Sequence, residues 1–237
     1  MPIDKLKKIV LVTGSSRGIG RFIVEYYCLL SYVVIGCSRS ESNFLHPNYY
    51  HTCLDISNEK DIVDLFKSIR KDFQRLDILV NNAAINPAII SGALLPYSTI
   101  ENVFKVNVFA PMLFCREAIK LMLRNKSGRI VNIGSMAAKH EVAGEALYTS
   151  TKSALNAYTR VLAKEVSQMG ITVNVVAPAA ILTELSQKIN QTALKEVLSR
   201  NAIQEFGEFT DVTSTIDFLI KAESNAVTGQ IIYLGGA

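Results

Sequence analysis

Histidine and cysteine, which supply most protein ligands to transition metals, are scarce in this chain of 237 residues. The three histidines and four cysteines are His46, His51, His140, Cys28, Cys37, Cys53 and Cys115. They form no C-x-x-C pair and no cluster with metal-ligand spacing. The apolar or β-branched surroundings of the cysteines predict small buried hydrophobes in a reducing compartment. We therefore expect neither a bound metal nor a metal-dependent mechanism.

Long apolar runs are absent too, since no stretch offers the roughly 18 uncharged apolar residues that a membrane span needs. The N-terminal residues also lack the apolar segment and cleavage site of a signal peptide. The net charge is only +4. Lys and Arg alternate with Asp and Glu in KDIVDLFKSIRKDF, which is typical of solvated helix faces and not of a nucleic-acid-binding stripe. We expect a cytoplasmic protein with neither a membrane nor a nucleic-acid partner.

Short apolar runs alternate with amphipathic segments along the chain. Most of the runs are rich in Val and Ile, as in strands that are covered on both faces. The predicted strands are Ile9–Thr13, Tyr32–Ser38, His51–Leu54, Ile78–Asn81, Arg129–Ile133, Thr172–Val176 and Ile231–Leu234. The predicted helices are Gly18–Leu29, Asn58–Phe73, Ser98–Phe109, Pro111–Asn125, Tyr148–Met169 and Asp211–Lys221.

This order of elements predicts an α/β fold of the doubly wound (Rossmann) kind, in which a seven-stranded parallel sheet has helices on both faces. No linker rich in Gly, Ser or Pro divides the chain, so residues 1–237 are interpreted as a single domain. Residues 181–208 form the longest stretch between strands apart from the ordinary helices. We interpret this stretch as a lid over a ligand site.

A turn rich in glycine joins the first predicted strand to the first predicted helix. Its candidate binding residues are Gly14, Ser16, Arg17, Gly18, Ile19 and Gly20. Glycine lets the backbone bend sharply and approach a phosphate closely, and the free N–H groups of a helix start face an anion. A purely structural turn can have a similar composition. The strand before it and the helix after it favour a pyrophosphate site for a dinucleotide.

The end of the second predicted strand indicates which dinucleotide binds. An acidic residue here would hold the ribose 2′-hydroxyl of NAD, but the chain has Ser38 and Arg39. Ser38 can donate a hydrogen bond, Arg39 can pair with a 2′-phosphate, and Arg17 could reach the same phosphate from the glycine turn. The residues favour NADP(H) over NAD(H), with solvated surface arginines as the alternative.

Several short motifs in a fixed order resemble the short-chain dehydrogenase/reductase family over essentially the whole chain. They are Thr13-Gly14-x-x-x-Gly18-x-Gly20, Asn81-Asn82-Ala83-Ala84, Asn107, Ser135 and Tyr148-x-x-x-Lys152. The stretches RGIGR, DILVNNA and GITVNVVAP look particularly like the bacterial 3-oxoacyl-[acyl-carrier-protein] reductase branch. The resemblance implies hydride transfer between a nicotinamide cofactor and a carbonyl or alcohol carbon.

Tyr148 and Lys152 lie four residues apart at the start of a predicted helix, so their side chains project from the same face. A free tyrosine titrates near pH 10, and a nearby ammonium favours the phenolate. We therefore expect Lys152 to lower the pKa of Tyr148, which would let Tyr148 exchange a proton with the substrate oxygen. Such spacing is common on helix surfaces, but the accompanying motifs favour the catalytic interpretation.

The resemblance implies roles for further residues. Ser135 would hydrogen-bond the substrate carbonyl oxygen, Lys152 would also hold the nicotinamide ribose, and Asn107 would support a water-linked proton relay to Lys152. The other implied cofactor contacts, from the adenine to the nicotinamide, are Asp55, Ile56, Asn81, Ala83, Pro178, Ile181 and Thr183. Without the resemblance, Ser135 could be a turn residue, Asn107 a backbone partner and Asp55 a helix cap.

Some positions depart from the family's usual pattern. Ala84 and Ala179 stand where glycine is usual, which is tolerable wherever φ is negative. Ala202–Gly207 lacks the Pro and Arg of the reductase branch, and Glu205 suits an acidic carrier protein less well than a basic residue would. A basic patch remains as a docking site for acyl carrier protein, with ordinary solvated charge as the alternative. Its residues are Arg124, Lys126, Arg129 and Arg160.

We interpret the protein as an NADPH-dependent carbonyl reductase, with a 3-oxoacyl thioester as the best single substrate. Another small alcohol, such as a sugar, polyol or secondary metabolite, is the alternative. Residues 85–96 and 181–206 would decide between these two substrate classes, because their side chains suggest an apolar mouth to the active site. The same side chains could instead belong to the core. The side chains are Ile89, Ile90, Leu94, Leu95, Ile189 and Leu194.

A regulator that binds the cofactor without turnover is the non-enzyme alternative. Such proteins usually lose the tyrosine or the lysine, and both Tyr148 and Lys152 are present. The predicted helices Pro111–Asn125 and Tyr148–Met169 contain apolar runs, and helices at these places commonly join subunits in the family. We therefore expect a homo-oligomer, most simply a homotetramer.

Overall fold

One seven-stranded sheet runs through the computed structural model, which describes residues 7–87, 89–181 and 198–236. In spatial order its strands are β3 (Tyr49–Cys53), β2 (Val33–Ser38), β1 (Ile9–Thr13), β4 (Ile78–Asn81), β5 (Gly128–Ile133), β6 (Ile171–Ala177) and β7 (Ile231–Tyr233). All neighbouring strands are parallel. The strand order changes direction between β1 and β4, and such a switch point opens a crevice at the carboxyl ends of the strands.

Helices cover both faces of the sheet. They are α1 (Gly18–Leu29), α2 (Glu59–Asp72), α3 (Tyr97–Phe104), α4 (Ala110–Met122), α5 (Ala137–His140), α6 (Ala146–Val166) and α7 (Phe209–Ile220). Alternate residues of β1 separate two cores: Leu11 belongs to the core with α2, α4 and α6, and Val12 to the core with α1 and α7. The predicted doubly wound α/β fold is confirmed.

The predicted helix Ser98–Phe109 is α-helical only as far as Phe104, and its remainder, Lys105–Phe109, is a wider π-helical turn that leads into α4. Pro111 lies in the first turn of α4 and has no N–H, so it cannot donate to the carbonyl four residues earlier. Turns of this kind are rare and occur mostly at functional sites. This one contains Asn107, whose side chain is buried.

Strand β3 and the predicted lid do not correspond directly to their predictions. The edge strand β3 begins two residues earlier than predicted and is half-exposed, because it has a neighbour on one side only. Most of the predicted lid at residues 181–208 lies outside the described residues, but Ile181 forms an isolated parallel bridge with Gly207. In the part of the chain that the structure describes, no helix has both the length and the apolarity to cross a membrane.

Candidate active site

The glycine-rich turn between β1 and α1 has the backbone shape of an anion site. Gly14 and Gly18 have φ of +69° and +56°, a region that residues with side chains rarely adopt. α1 begins after Arg17, whose side chain makes no capping hydrogen bond, and its first turn has no acidic residue. The backbone N–H groups of this helix start therefore suit a pyrophosphate.

Thr13 and Asn82, to which the sequence analysis assigned no contact, hold this turn in place. Thr13 Oγ1 accepts hydrogen bonds from the N–H groups of Asn82 (3.0 Å) and Ala83 (2.9 Å). Asn82 Nδ2 donates to the carbonyls of Thr13 (2.9 Å) and Gly14 (3.2 Å). The end of β4 is thereby tied to the glycine turn. The signal available in the sequence was that Thr13 ends one buried strand and Asn82 follows another, at the same edge of the sheet.

We expect Gly20→Ala to destabilise the protein by about 1–3 kcal/mol and to weaken dinucleotide binding, because an added Cβ would overlap the Gly14 carbonyl oxygen. A backbone atom cannot swing aside as a side chain can, so the turn itself must move. Urea unfolding measures the loss of stability. Gly92→Ala is the control, since its Cβ would lie 3.9 Å from the nearest atom, Cβ of Ala146. A Gly20→Ala protein as stable as the wild type would contradict this reasoning.

The expected 2′-phosphate residues lie beside this turn. The Gly14 N–H donates to the carbonyl of Cys37 (2.8 Å), which brings the turn to the end of β2. Arg17 and Arg39 are exposed, and within the described residues neither guanidinium has a hydrogen-bond or ion-pair partner. Ser38 is almost buried, and its hydroxyl donates to the carbonyl of Ser40 (2.8 Å). Two cationic side chains are thus available to an anionic ligand.

Asp55 and Ile56 follow the edge strand β3. Asp55 is exposed, and its Oδ1 accepts from the N–H of Ser57 (2.9 Å). The cap of α2 is Asn58, which accepts from the N–H of Lys60 (3.0 Å), so the alternative of Asp55 as the helix cap is wrong. Ile56 is buried at the rim. The contact of Asp55 with adenine stays a prediction.

Asn81 and Ala83 differ in what their side chains can offer. The buried Asn81 donates from Nδ2 to Oδ1 of Asn132 on β5 (2.8 Å), and its own Oδ1 has no hydrogen-bond partner among the residues that the structure describes. This side chain is therefore engaged inside the sheet. Ala83 lies against the glycine turn, where a Cβ on Gly14 would come within 2.9 Å of the Ala83 Cα. Only glycine at position 14 lets the turn approach Ala83 this closely.

Tyr148, Ser135 and Lys152 meet where β5 ends and α6 begins. Ser135 Oγ accepts from the N–H of Ala137 (3.1 Å) and also hydrogen-bonds the Tyr148 hydroxyl. Lys152 is only 3% exposed. Its Nζ donates to the carbonyl of Ile133 (2.8 Å) and lies 5.7 Å from the centroid of the Tyr148 ring. A hydroxyl donor, a phenol and an amine thus share one corner of the crevice.

Burial governs the protonation of Tyr148 and Lys152 in this structure. Desolvation raises the pKa of Tyr148 to about 12, although the hydrogen bond with Ser135 acts in the opposite direction. Desolvation also lowers the pKa of Lys152 to about 8. The expectation that Lys152 lowers the pKa of Tyr148 is wrong here, because desolvation of the phenol dominates and Lys152 is not among the groups that shift this pKa. Tyr148 is therefore protonated at neutral pH, as a proton donor must be.

Asn107 is held tightly behind this corner. Its Oδ1 accepts from the N–H of Ile85 (2.9 Å), and its Nδ2 donates to the carbonyl of Ile85 (2.8 Å) and to Thr151 Oγ1 (3.2 Å). Thr151 in turn donates to the carbonyl of Tyr148 (2.7 Å). Asn107 therefore joins the loop after β4 to α6, and it reaches Tyr148 through Thr151.

The residues expected at the nicotinamide follow β6. The carbonyl of the buried Pro178 accepts from the N–H of Met136 (3.2 Å), close to Ser135 in the sequence. Ile181 is half-buried, and Thr183 lies outside the described residues. Ala84 and Ala179 are not among the non-glycine residues with positive φ, so alanine fits both positions.

A small pocket opens beside Tyr148. Ile89, Ile90 and Leu95 give it an apolar wall, and Glu145 adds a carboxyl group. Burial raises the pKa of Glu145. Leu94, also expected at the mouth, is 69% exposed and does not line this pocket. Ile189 and Leu194 lie outside the described residues.

The basic patch expected to bind a carrier protein is not formed as predicted. Arg129 is buried, its Nη1 donates to the carbonyl of Gly128 (2.9 Å), and its Nη2 donates to Asn225. The prediction that Arg129 belongs to the basic patch is wrong, because the first residues of β5 are buried. Arg124, Lys126 and Arg160 are exposed. Arg124 and Lys126 precede β5, so a six-residue strand, roughly 20 Å long, separates them from Ser135 in the same chain.

The cysteines follow the prediction with one exception. Cys28, Cys37 and Cys115 are buried, but Cys53 is exposed because it lies on the edge strand. Cys53, His51 and Glu41 each place one donor atom within 4.8 Å of the other two. The spacing in the sequence did not indicate this cluster, because the connection from β2 to β3 brings Glu41 back beside His51 and Cys53.

Comparison with known proteins agrees with the fold. A model of the short chain dehydrogenase family matches residues 8–194. The chain belongs to this family.

Relatives and solved structures of known proteins match nearly the whole length of the chain. The 3-oxoacyl-[acyl-carrier-protein] reductase FabG of Buchnera aphidicola subsp. Baizongia pistaciae is 33% identical, over 97% of this chain and 96% of the relative. FabG of Escherichia coli is 31% identical over the same shares. The structure of ElxO with NADP bound matches 97% of each chain with a TM-score of 0.89 and 29% identity. An ElxO tyrosine-to-phenylalanine variant with NADPH bound matches with a TM-score of 0.88.

Proposed function

We propose that this protein is an NADP(H)-dependent oxidoreductase that reduces the carbonyl group of a 3-oxoacyl thioester. The observation that carries the proposal is the corner formed by Tyr148, Ser135 and Lys152 beside the crevice of the glycine turn. The two ElxO structures with NADP and NADPH bound support the cofactor. The relatives named 3-oxoacyl-[acyl-carrier-protein] reductase support the substrate.

The residues of the corner divide the proton chemistry between them. When bound, NADPH supplies the hydride, and the protein supplies orientation and a proton. Ser135 holds the carbonyl oxygen, and the Tyr148 hydroxyl gives its proton to that oxygen as the carbonyl carbon is reduced to the alcohol. The raised pKa keeps this hydroxyl protonated. Lys152 would hold the nicotinamide ribose and return a proton to Tyr148, while Asn107 fixes the start of α6 through Thr151.

NADP(H) suits Arg17 and Arg39, two exposed cations that have no ion-pair partner among the described residues. We expect Arg39→Ala to raise the Kd of NADPH about 10-fold to 100-fold, since one charge-assisted hydrogen bond is worth about 1.5–3 kcal/mol. The Kd of NADH, which lacks the 2′-phosphate, should change little. Fluorescence titration measures both values. Arg124→Ala, another exposed arginine, is the control, and equal losses for NADPH and NADH would contradict the role of Arg39.

The apolar wall of Ile89, Ile90 and Leu95 favours an acyl chain beside the reacting carbonyl. Glu145 favours a second candidate, because its half-buried carboxyl could bind a hydroxyl or another donor on a small polar ketone. The two candidates therefore make opposite demands on the same pocket.

A direct comparison of substrates tests the proposed function. NADPH oxidation should be fast with an acetoacetyl thioester and slower with small polar ketones. Glu145→Gln should leave the thioester reaction nearly unchanged but weaken turnover of a polar ketone. A wild-type protein that ignored acetoacetyl thioesters and reduced a polar ketone would replace the first candidate with the second.

Partners and assembly complete the proposal. A carrier protein that delivers the thioester would meet the exposed Arg124, Lys126 or Arg160.

Exposed apolar side chains near α4 and on α6 support a homo-oligomer through these helices. They are Phe109, Leu123 and Val161, which are 51%, 40% and 55% exposed. A cytoplasmic location, one domain and a lid around residues 181–208 belong to the same proposal.

A further inference from the structure

We propose that Glu41, His51 and Cys53 form a binding site for a zinc-class divalent cation at the outer edge of the sheet. The three residues offer a carboxylate oxygen, an imidazole nitrogen and a sulfur within 4.8 Å of one another. This donor set suits Zn²⁺, and three protein ligands leave a fourth position for water. The proton chemistry at Tyr148 uses none of them.

The distance between two donor atoms fits tetrahedral coordination. His51 and Cys53 are two residues apart on β3, so their side chains lie on the same face of the strand. Cys53 Sγ lies 3.8 Å from His51 Nε2. Ideal Zn–S and Zn–N bonds at a tetrahedral angle would separate these atoms by about 3.6 Å. Only a small rotation is needed to place one cation between them.

Glu41 supplies the third ligand from the loop that follows β2. One of its carboxylate oxygens lies within 4.8 Å of the Cys53 sulfur and of a ring nitrogen of His51. Glu41 and Cys53 are exposed. A cation therefore has an open route from solvent, and the long Glu41 side chain can adjust without disturbing the core.

A second layer of hydrogen bonds orients the imidazole. The Tyr49 hydroxyl donates to Ser15 Oγ (3.1 Å) and lies 2.9 Å from His51 Nδ1. In this structure the Ser40 carbonyl, 3.1 Å from Nε2, can only accept, so Nε2 carries the ring proton. A cation at Nε2 would require the tautomer with the proton on Nδ1, and the Tyr49 hydroxyl, whose own proton is directed at Ser15, can accept from Nδ1–H. Tyr49 fits here because residue 36 is glycine, where a Cβ would come 2.5 Å from the Tyr49 hydroxyl.

Metal binding would change the neighbouring cofactor residues. His51 Nε2 now lies 3.3 Å from Ser38 Oγ and 3.1 Å from the Ser40 carbonyl. A cation that takes Nε2 must remove these contacts from the segment that carries Arg39. We therefore infer that zinc weakens NADPH binding, a link that rests on the proposed cofactor site, whereas the metal site itself does not.

Metal titration of the purified full chain tests the site without an activity assay. After treatment with a chelator, Zn²⁺ titrated against a chromophoric chelator should bind at one ion per chain. Co²⁺ should give thiolate charge-transfer absorption. Cys53→Ser should abolish that absorption, and Cys53→Ser and Glu41→Gln should each weaken zinc binding at least about ten-fold. Both side chains are exposed, so these variants should fold.

The control is His46→Gln, which changes a nearby histidine whose ring stacks on Phe44 outside the cluster. Unchanged metal affinity in Cys53→Ser, or an equal loss in His46→Gln, would overturn the site. The NADPH Kd measured with and without zinc tests the link separately. A Kd that zinc leaves unchanged would overturn the link, while the chelator titration would still decide the metal site.

Discussion

Tyr148→Phe should lower kcat for NADPH-dependent reduction by about 10²–10⁴-fold while changing the Kd of NADPH only slightly. The substitution removes the hydroxyl that hydrogen-bonds Ser135 and keeps the ring near Lys152. General acid catalysis contributes a factor of this size when the donor is well placed. Steady-state rates with an acetoacetyl thioester and equilibrium NADPH titration give the two values.

Tyr158→Phe is the matched control for this variant. Tyr158 lies on the same helix, α6, and burial and a hydrogen bond with Cys115 raise its pKa strongly. A general effect of removing a buried hydroxyl from α6 would lower both rates alike. If Tyr148→Phe kept more than about a tenth of wild-type kcat, another group would have to supply the proton.

The architecture could largely be predicted from the sequence because the patterns that indicate it are local. The Val-rich run of β1, the glycine turn and the helix pattern of α1 follow one another within about twenty residues, and each has a direct backbone cause. Tyr148 and Lys152 share a helix face by periodicity alone. These features need no knowledge of what packs against them.

The errors concern properties that only packing decides. The pKa of Tyr148 depends on how deeply the start of α6 is buried, and the sequence records the neighbour Lys152 but not the lost water. Arg129 was predicted to be a surface cation, but the structure buries it at the start of β5. The cluster of His51 with Glu41 depends on the path of one loop, for which hydrophobic periodicity has no signal.

The buried amine of Lys152 makes a second large effect expected: Lys152→Met should abolish turnover yet stabilise the protein by about 2 kcal/mol at about pH 7. Burial lowers the folded-state pKa to about 8 from 10.5, which corresponds to about 3 kcal/mol at a pH below both values. The lost hydrogen bond to the Ile133 carbonyl offsets about 1 kcal/mol of this gain. Lys152 would thus be needed for turnover although its buried amine destabilises the fold, as is common at active sites.

The pH dependence distinguishes this cause from a general gain in apolar packing. Between pH 8 and 10.5 the unfolded chain binds more protons at Lys152 than the folded chain does, so wild-type stability rises with pH across this window. The advantage of Lys152→Met should therefore disappear by about pH 10.5, as measured by urea unfolding at fixed protein concentration. Lys164→Met, at an exposed position of α6, should show no such trend. A gain for Lys152→Met that persisted unchanged to high pH would mean that the methionine packs better, and that the pKa of Lys152 is the same in the folded and the unfolded protein.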